Sequence, residues 1–267
     1  MKHEKYLTYS DYLHLEKLLS LQEERSGGAG ESEHDEMLFI IIHQVYELWF
    51  KQLLHELEFA CDRMEADDVA RLLHTMQRIL TILKVQVHQL DILETMRPLE
   101  FLAFRQRLEE ASGLQSYQFR ELEFILGYKR TSVFARYPEG SNARKRLERR
   151  YREPSLWQAF LAFIDARGHS VPREDLDREV TAPTEPSAGV QAVLIRIYRE
   201  DPTLVQLCER LVDLDEGLQE WRYRHVKMVE RTIGARPGTG QTAGTDYLRT
   251  SLNRPVFPDL WAIRTDL

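Results

Sequence analysis

Two of the nine histidines in this 267-residue chain stand where an imidazole needs a reason. In "MLFIIIHQVYELWFK" (37–51), His43 lies within one of the most apolar runs. Residues three or four apart share a helix face, so Phe39, His43, Tyr46 and Phe50 form one stripe. In "WRYRHVKMVERTIG" (221–234), His225 shares a face with Trp221 and Val229, with Met228 nearby. A buried neutral imidazole has two ring nitrogens to satisfy, and taken singly each histidine reads as a satisfied core residue. Two of them on separate apolar helices admit another chemistry. A flat, apolar, iron-bearing ring held between helices takes one histidine as axial ligand and meets the other across its face.

A third stripe runs through "RPLEFLAFRQRLEEASG" (97–113), where Phe101, Arg105, Leu108 and Ser112 fall at i, i+4, i+7 and i+11. An arginine among apolar neighbours either snorkels to water or meets a carboxylate, with which its planar fork pairs bidentately. The Gly/Thr-rich "PGTGQTAGT" (237–245) offers a pliable backbone and several hydroxyls, able to close on a small zwitterion or merely to cap a helix. Other common site motifs are missing. There is no H-E-x-x-H, no C-x-x-C and no G-x-S-x-G, and the one E-x-x-H, Glu31 to His34, starts in a Gly-rich loop. The loop "GTGQTAG" (238–244) is a residue too long for a dinucleotide fingerprint and follows a helix instead of a strand.

The elements that must position these residues are helical, since apolar residues recur at helical spacing through most of the chain. The fold class expected is all-α, a bundle. Helices are predicted at about 8–25, 34–65, 67–96, 114–126, 188–200 and 203–234, with Pro98 opening a further one and Gly113 as a C-cap. The Pro- and charge-rich stretch 168–187 reads as a long surface loop with room for a short helix. No internal repeat or composition shift demands a second domain, so residues 1–267 are read as one domain.

A net charge of -7 with 43% apolar residues describes a globular chain with no general attraction to nucleic acid or anionic membrane. The basic run "ARKRLERRY" (143–151) reads as a solvated helix face. Apolar runs fall far short of the ~20 residues that cross a bilayer. The start, "MKHEKYLTYS", lacks the apolar core of a secretory signal, and Cys61 and Cys208 stand alone, so a cytoplasmic location with reduced thiols is expected.

Five stretches, "LTYSDYLHLEKLL" (7–19), "DEMLFIIIHQVYELWFKQLLHEL" (35–57), "LDILETMRPLEFLAFRQRLEEASGLQSYQFRELEF" (90–124), "WRYRHVKMVERTIG" (221–234) and "GTGQTAGTDYL" (238–248), together closely resemble the tryptophan 2,3-dioxygenase family. The resemblance runs nearly the whole chain in order and is weakest over 128–187 and at the extreme N-terminus. It implies an enzyme with one haem b per subunit, ferrous when active, that adds O2 across the indole C2–C3 bond of L-tryptophan to give N-formyl-L-kynurenine, the first step of the kynurenine pathway. It also implies a homotetramer, a dimer of dimers, whose N-terminal segment of about 25 residues packs on a neighbouring subunit.

Carried onto matching positions, the resemblance makes His225 the axial ligand of the haem iron and His43 the distal, catalytic residue. Phe39 lies beside the indole, Arg105 pairs with the substrate carboxylate, Thr239 holds the ammonium and carboxylate end, and Phe101 is a pocket aromatic. Tyr9 and Tyr12 match tyrosines that the family supplies from a neighbour. Trp221 belongs to the proximal side, and Leu108, Ser112 and Gly113 to the wall near the haem. Nδ1 of His225 is expected to donate to an acceptor that fixes its tautomer. Where the family loop has a further glycine after G-T-G, this chain has Gln241, a departure that bears on how the pocket closes. Two readings of another class stay open from residues alone: a haem-binding sensor without turnover, and a helical assembly with no cofactor.

Overall fold

The computed structural model describes residues 6–29, 32–236, 248–252 and 254–267, and among these every regular element is helical. Three long helices carry the architecture: α3 (His34–Glu65), α4 (Val69–Leu93) and α11 (Pro202–Ile233). Helix α4 lies between the other two, packing on both. Its buried face, with Leu72, Met76, Ile79, Leu83, Val87 and Leu90, is the broad stripe read from the sequence. Gly217 permits the close approach of α11 to α4, since a Cβ there would come within 2.8 Å of Leu83 Cδ2. Tyr46 donates from α3 to the Gln86 carbonyl on α4 at 2.6 Å, satisfying a buried hydroxyl while fixing the register of the two helices.

Shorter helices surround this frame. They are α1 (Tyr9–Leu13), α2 (Leu15–Leu18), α5 (Pro98–Arg105), α6 (Tyr117–Ile125), α7 (Asn142–Tyr151), α8 (Leu156–Ala166), α9 (Arg173–Leu176), α10 (Ala188–Glu200) and α12 (Pro258–Ala262). Local chemistry starts several of them. Ser116 caps α6, Ser155 and Gln158 form a capping box on α8, and Asp201 accepts from the Thr203 and Leu204 amides ahead of Pro202 at the start of α11. One large core joins α3, α4, α8, α10 and α11, and a smaller cluster of Phe124, Val133, Tyr137 and Leu147 lies under α7.

Four expectations need correction. The helix predicted over 8–25 is two short pieces, because His14 adopts a left-handed conformation (φ 51°) and neither piece has a buried residue to hold it. Gly113 is no C-cap. Helix α5 ends at Arg105, passes into a 3-10 turn over Gln106–Leu108 and reverses at Glu109 (φ 50°), so Gly113 instead begins a second 3-10 turn capped by Ser112. For the same reason the stripe from Phe101 to Ser112 is not one helical face. The basic helix α7 also differs in part from a solvated face, with Leu147 and Arg150 buried. Among the described residues no helix is long and apolar enough to cross a membrane.

Candidate functional site

Helices α3, α5 and α11, with the segment after residue 248, enclose a cavity of about 530 Å³. On α3 the Nδ1 of His43 lies 2.7 Å from the Phe39 carbonyl oxygen. A carbonyl only accepts, so Nδ1 donates and the neutral ring keeps Nε2 as an acceptor. Burial holds the His43 pKa below its usual value, against the opposing pull of the Phe39 carbonyl and the Glu47 charge, so the ring is neutral near pH 7. Phe39 packs against this ring at 4.1 Å between centroids and against Phe101 and Phe104 at 5.7 and 5.5 Å. An imidazole acceptor is thus set in an aromatic corner.

The second imidazole comes from α11. One turn before it, Trp221 stacks on the His225 ring at 5.3 Å and 7° between planes, while Tyr46, Phe50 and Phe119 pack around the indole. Burial, with a smaller contribution from nearby His43, pushes the His225 pKa down to about 4, so this ring too is neutral. Its accessible surface is modest and borders the cavity. Neither ring nitrogen hydrogen-bonds to a described residue, so the acceptor expected for Nδ1 is not among them. The buried Trp221 Nε1 likewise makes no hydrogen bond to a described residue.

Away from the aromatic corner the cavity wall turns polar, and here the sequence reading missed residues. Arg222, 5% exposed, donates through Nη1 to the Tyr128 hydroxyl at 3.0 Å and to the carbonyls of Arg254 and Ser251 at 3.3 and 3.4 Å. No described carboxylate pairs with it. Arg120 and Arg130 share one carboxylate, Glu123, at 2.5 and 2.7 Å. Glu47, on the same wall, accepts from Gln118 at 2.8 Å. Among the described lining residues five arginines, Arg105, Arg120, Arg130, Arg222 and Arg254, stand against two glutamates, Glu47 and Glu123, leaving surplus positive charge in a confined space. Arg222 was within reach of the sequence argument, since it stands three residues before His225 on the inward face of α11. Tyr128, Arg130 and Arg254 lie on loops, where periodicity is silent.

Of the residues singled out from the sequence, Phe39, His43, Phe101, Arg105, Ser112, Gly113, Trp221 and His225 all line this one cavity. Leu108 instead packs, half-buried, against the core beside it. Tyr9 and Tyr12 are 75% and 70% exposed on the N-terminal arm. Thr239 and Gln241 lie outside the described residues.

A family model described as tryptophan 2,3-dioxygenase matches residues 1–168 and 157–267. A tryptophan 2,3-dioxygenase of Herpetosiphon aurantiacus is 56% identical over 264 residues, 98% of each chain. One from an Anaeromyxobacter species is 51% identical over 262 residues, covering 98% of this chain and 97% of the relative. One from Bacillus thuringiensis is 39% identical over 264 residues, covering 98% and 93%.

Proposed function

The chain belongs to the tryptophan 2,3-dioxygenase family, and we propose that the cavity between α3, α5 and α11 is where its chemistry takes place. That chemistry is the haem-dependent addition of dioxygen to L-tryptophan, the first step of the kynurenine pathway. The residues present suit haem b. A volume of about 530 Å³ falls within the range of small-molecule and cofactor sites. A neutral imidazole without a hydrogen-bond partner is a ready iron ligand, and a buried guanidinium without a carboxylate suits a propionate. His225 would hold the iron, with Trp221 fixing its ring. Ser112 and Gly113 on the cavity wall would stand beside it, Leu108 would back that wall from the core, and Arg222 would meet a propionate carboxylate. When bound, ferrous haem supplies the metal that activates dioxygen.

The protein's own groups then bind and orient the amino acid. Phe39 and Phe101 give the indole an aromatic slot. His43 Nε2, left as an acceptor by the Nδ1 bond to Phe39, takes the hydrogen bond of the indole N–H. His43 acts by orienting the ring, not as an obligatory base: indole N–H is a very weak acid, and a lowered pKa makes this imidazole a poorer base still. Arg105 pairs with the substrate carboxylate, and Thr239 takes the zwitterionic end. This remote binding energy holds the C2–C3 bond in place for reaction. Tyr9 and Tyr12, solvent-exposed in the isolated chain, are read as completing a neighbour's pocket in a dimer-of-dimers homotetramer. The assembly is placed in the cytoplasm.

The observation that carries this reading is the 2.7 Å contact that commits His43 Nδ1 to the backbone and leaves Nε2 as the cavity's acceptor. Comparing L-tryptophan with 1-methyl-L-tryptophan, which lacks the N–H, tests it in the wild type and in His43→Ala. The wild type is expected to prefer L-tryptophan and His43→Ala to lose most of that preference while keeping measurable turnover. An undiminished preference in His43→Ala contradicts the role.

A further inference from the structure

Ten residues before His225, α11 carries a carboxylate that the chemistry above leaves unused. Asp215 is fully buried and pairs with no described cation. Its Oδ2 accepts from the Val256 amide at 2.7 Å, the Phe257 amide at 3.0 Å and Trp261 Nε1 at 2.9 Å, and its Oδ1 from Gln219 Nε2 at 3.0 Å. Three of these four donors belong to the C-terminal segment. A buried carboxylate is costly unless such donors surround it, and charge-assisted hydrogen bonds are about twice as strong as neutral ones. The cost of keeping Asp215 in the core is therefore offset only while residues 256–261 stay docked.

Two turns further along α11, Arg222 holds the carbonyls of Ser251 and Arg254, and Tyr128 donates to the Arg254 carbonyl as well. Leu248, Thr250, Ser251 and Arg254 are cavity wall. The helix that presents His225 thus grips the C-terminal segment at two points, and only Pro255 separates the wall from the residues Asp215 holds. Behind them, Phe257, Leu260 and Ile263 are fully buried, and Asp259 accepts from the Ser187 amide and Gln191 at 2.8 and 2.9 Å, so residues 256–263 dock as a block.

We propose that Asp215 is a positioning residue for the reaction: without touching substrate, it sets where Leu248, Thr250, Ser251 and Arg254 stand against α11 and so how tightly the cavity holds the amino acid. The proposal rests on the reading of this cavity as the L-tryptophan site. Steady-state kinetics with L-tryptophan, run on haem-loaded Asp215→Ala, Asp215→Asn and Trp261→Phe, are paired with amide hydrogen exchange over residues 254–263. Asp215→Ala is expected to raise KM about 10-fold or more, the equivalent of losing about one charge-assisted hydrogen bond. Its kcat stays within about 3-fold, the haem spectrum is unchanged, and exchange rises in 254–263 but not in α7. Asp215→Asn keeps the acceptor oxygen and should recover most of the affinity. Trp261→Phe removes one donor, leaves the carboxylate in place and should raise KM about 2- to 3-fold, which decides the matter even where Asp215→Ala does not fold. A wild-type protein that does not turn over L-tryptophan would overturn the cavity assignment and this role together. Faster exchange over 254–263 in Asp215→Asn or Trp261→Phe with KM unmoved, or a fall in kcat at constant KM, overturns the positioning role alone.

Discussion

The surroundings of α7 and the cavity both enclose charged and polar side chains, yet they treat them in opposite ways. Around α7 the charges largely pair with one another, although the buried Arg150 Nε has no hydrogen bond to a described residue. Arg146 pairs with the buried Glu121 at 2.9 Å, Arg144 with Glu148, and Arg150 with Glu58 and Glu153. The buried ammonium of Lys129 donates to the carbonyls of Arg150, Tyr151 and Glu153 at 3.0, 3.0 and 2.7 Å, closing the C-terminal end of the helix. In the cavity, Trp221 Nε1 and both His225 nitrogens lack hydrogen bonds to described residues, and no described carboxylate pairs with Arg222. Burying a charge without a counter-charge is costly, so a guanidinium buried with no described carboxylate suits a site that receives an anionic group.

Substitutions sharpen that contrast. The largest effect is expected from His225→Ala, which removes the nitrogen read as the iron ligand. Its axial-ligand spectrum should be lost and turnover should fall below detection, whereas retention of both would break the contrast at its centre. Arg105→Met should raise KM for L-tryptophan about 100-fold, the equivalent of one or two hydrogen bonds between charged groups, with a smaller change in kcat. Equal KM values for the variant and the wild type would remove Arg105 from substrate binding. Arg222→Met should speed haem transfer to apomyoglobin about 10-fold, a readout that does not depend on turnover.

On the satisfied side, Arg146→Met should cost about 1 kcal/mol in thermal unfolding, since Arg146 is partly exposed and water screens the remaining charge. KM should not move. A kinetic effect there as large as that of Arg222→Met would erase the distinction between the two regions. The smallest effect concerns Glu36, whose carboxylate accepts from the Arg25 and Ser26 amides at 2.8 Å each. Burial alone would raise its pKa, but these hydrogen bonds and the Arg107 charge overcome it and hold the value below 4.5. A lowered carboxylate pKa gives stability that is present above pH 4.5 and lost as the pH falls through the folded-state value. Glu36→Gln should therefore flatten that acid-side decline, as read by melting temperature against pH.

The long elements were legible in the sequence because their apolar periodicity is strong: α3, α4, α10 and α11 begin and end within a few residues of expectation. His43 and His225 were visible as imidazoles in apolar stripes, although periodicity alone could not say that the two stripes face one cavity. Arg105 was found for a reason only half right. Its one-turn relation to Phe101 holds, but Ser112 returns to the cavity through a reversal at Glu109 that no helical spacing encodes. The polar end was missed because Tyr128, Arg130 and Arg254 come from loops far apart in the chain. Asp215, one of three acids in "LVDLDEG", looks like any solvated helix carboxylate until the C-terminal segment folds onto it.

The central claim, that the unpartnered groups of this cavity await haem and L-tryptophan, is tested most directly by the optical spectrum of the haem-reconstituted ferrous protein with and without L-tryptophan. A Soret band at one haem per chain that shifts on adding L-tryptophan is the predicted result. A protein that takes up no haem, or whose haem spectrum ignores saturating L-tryptophan, would contradict it.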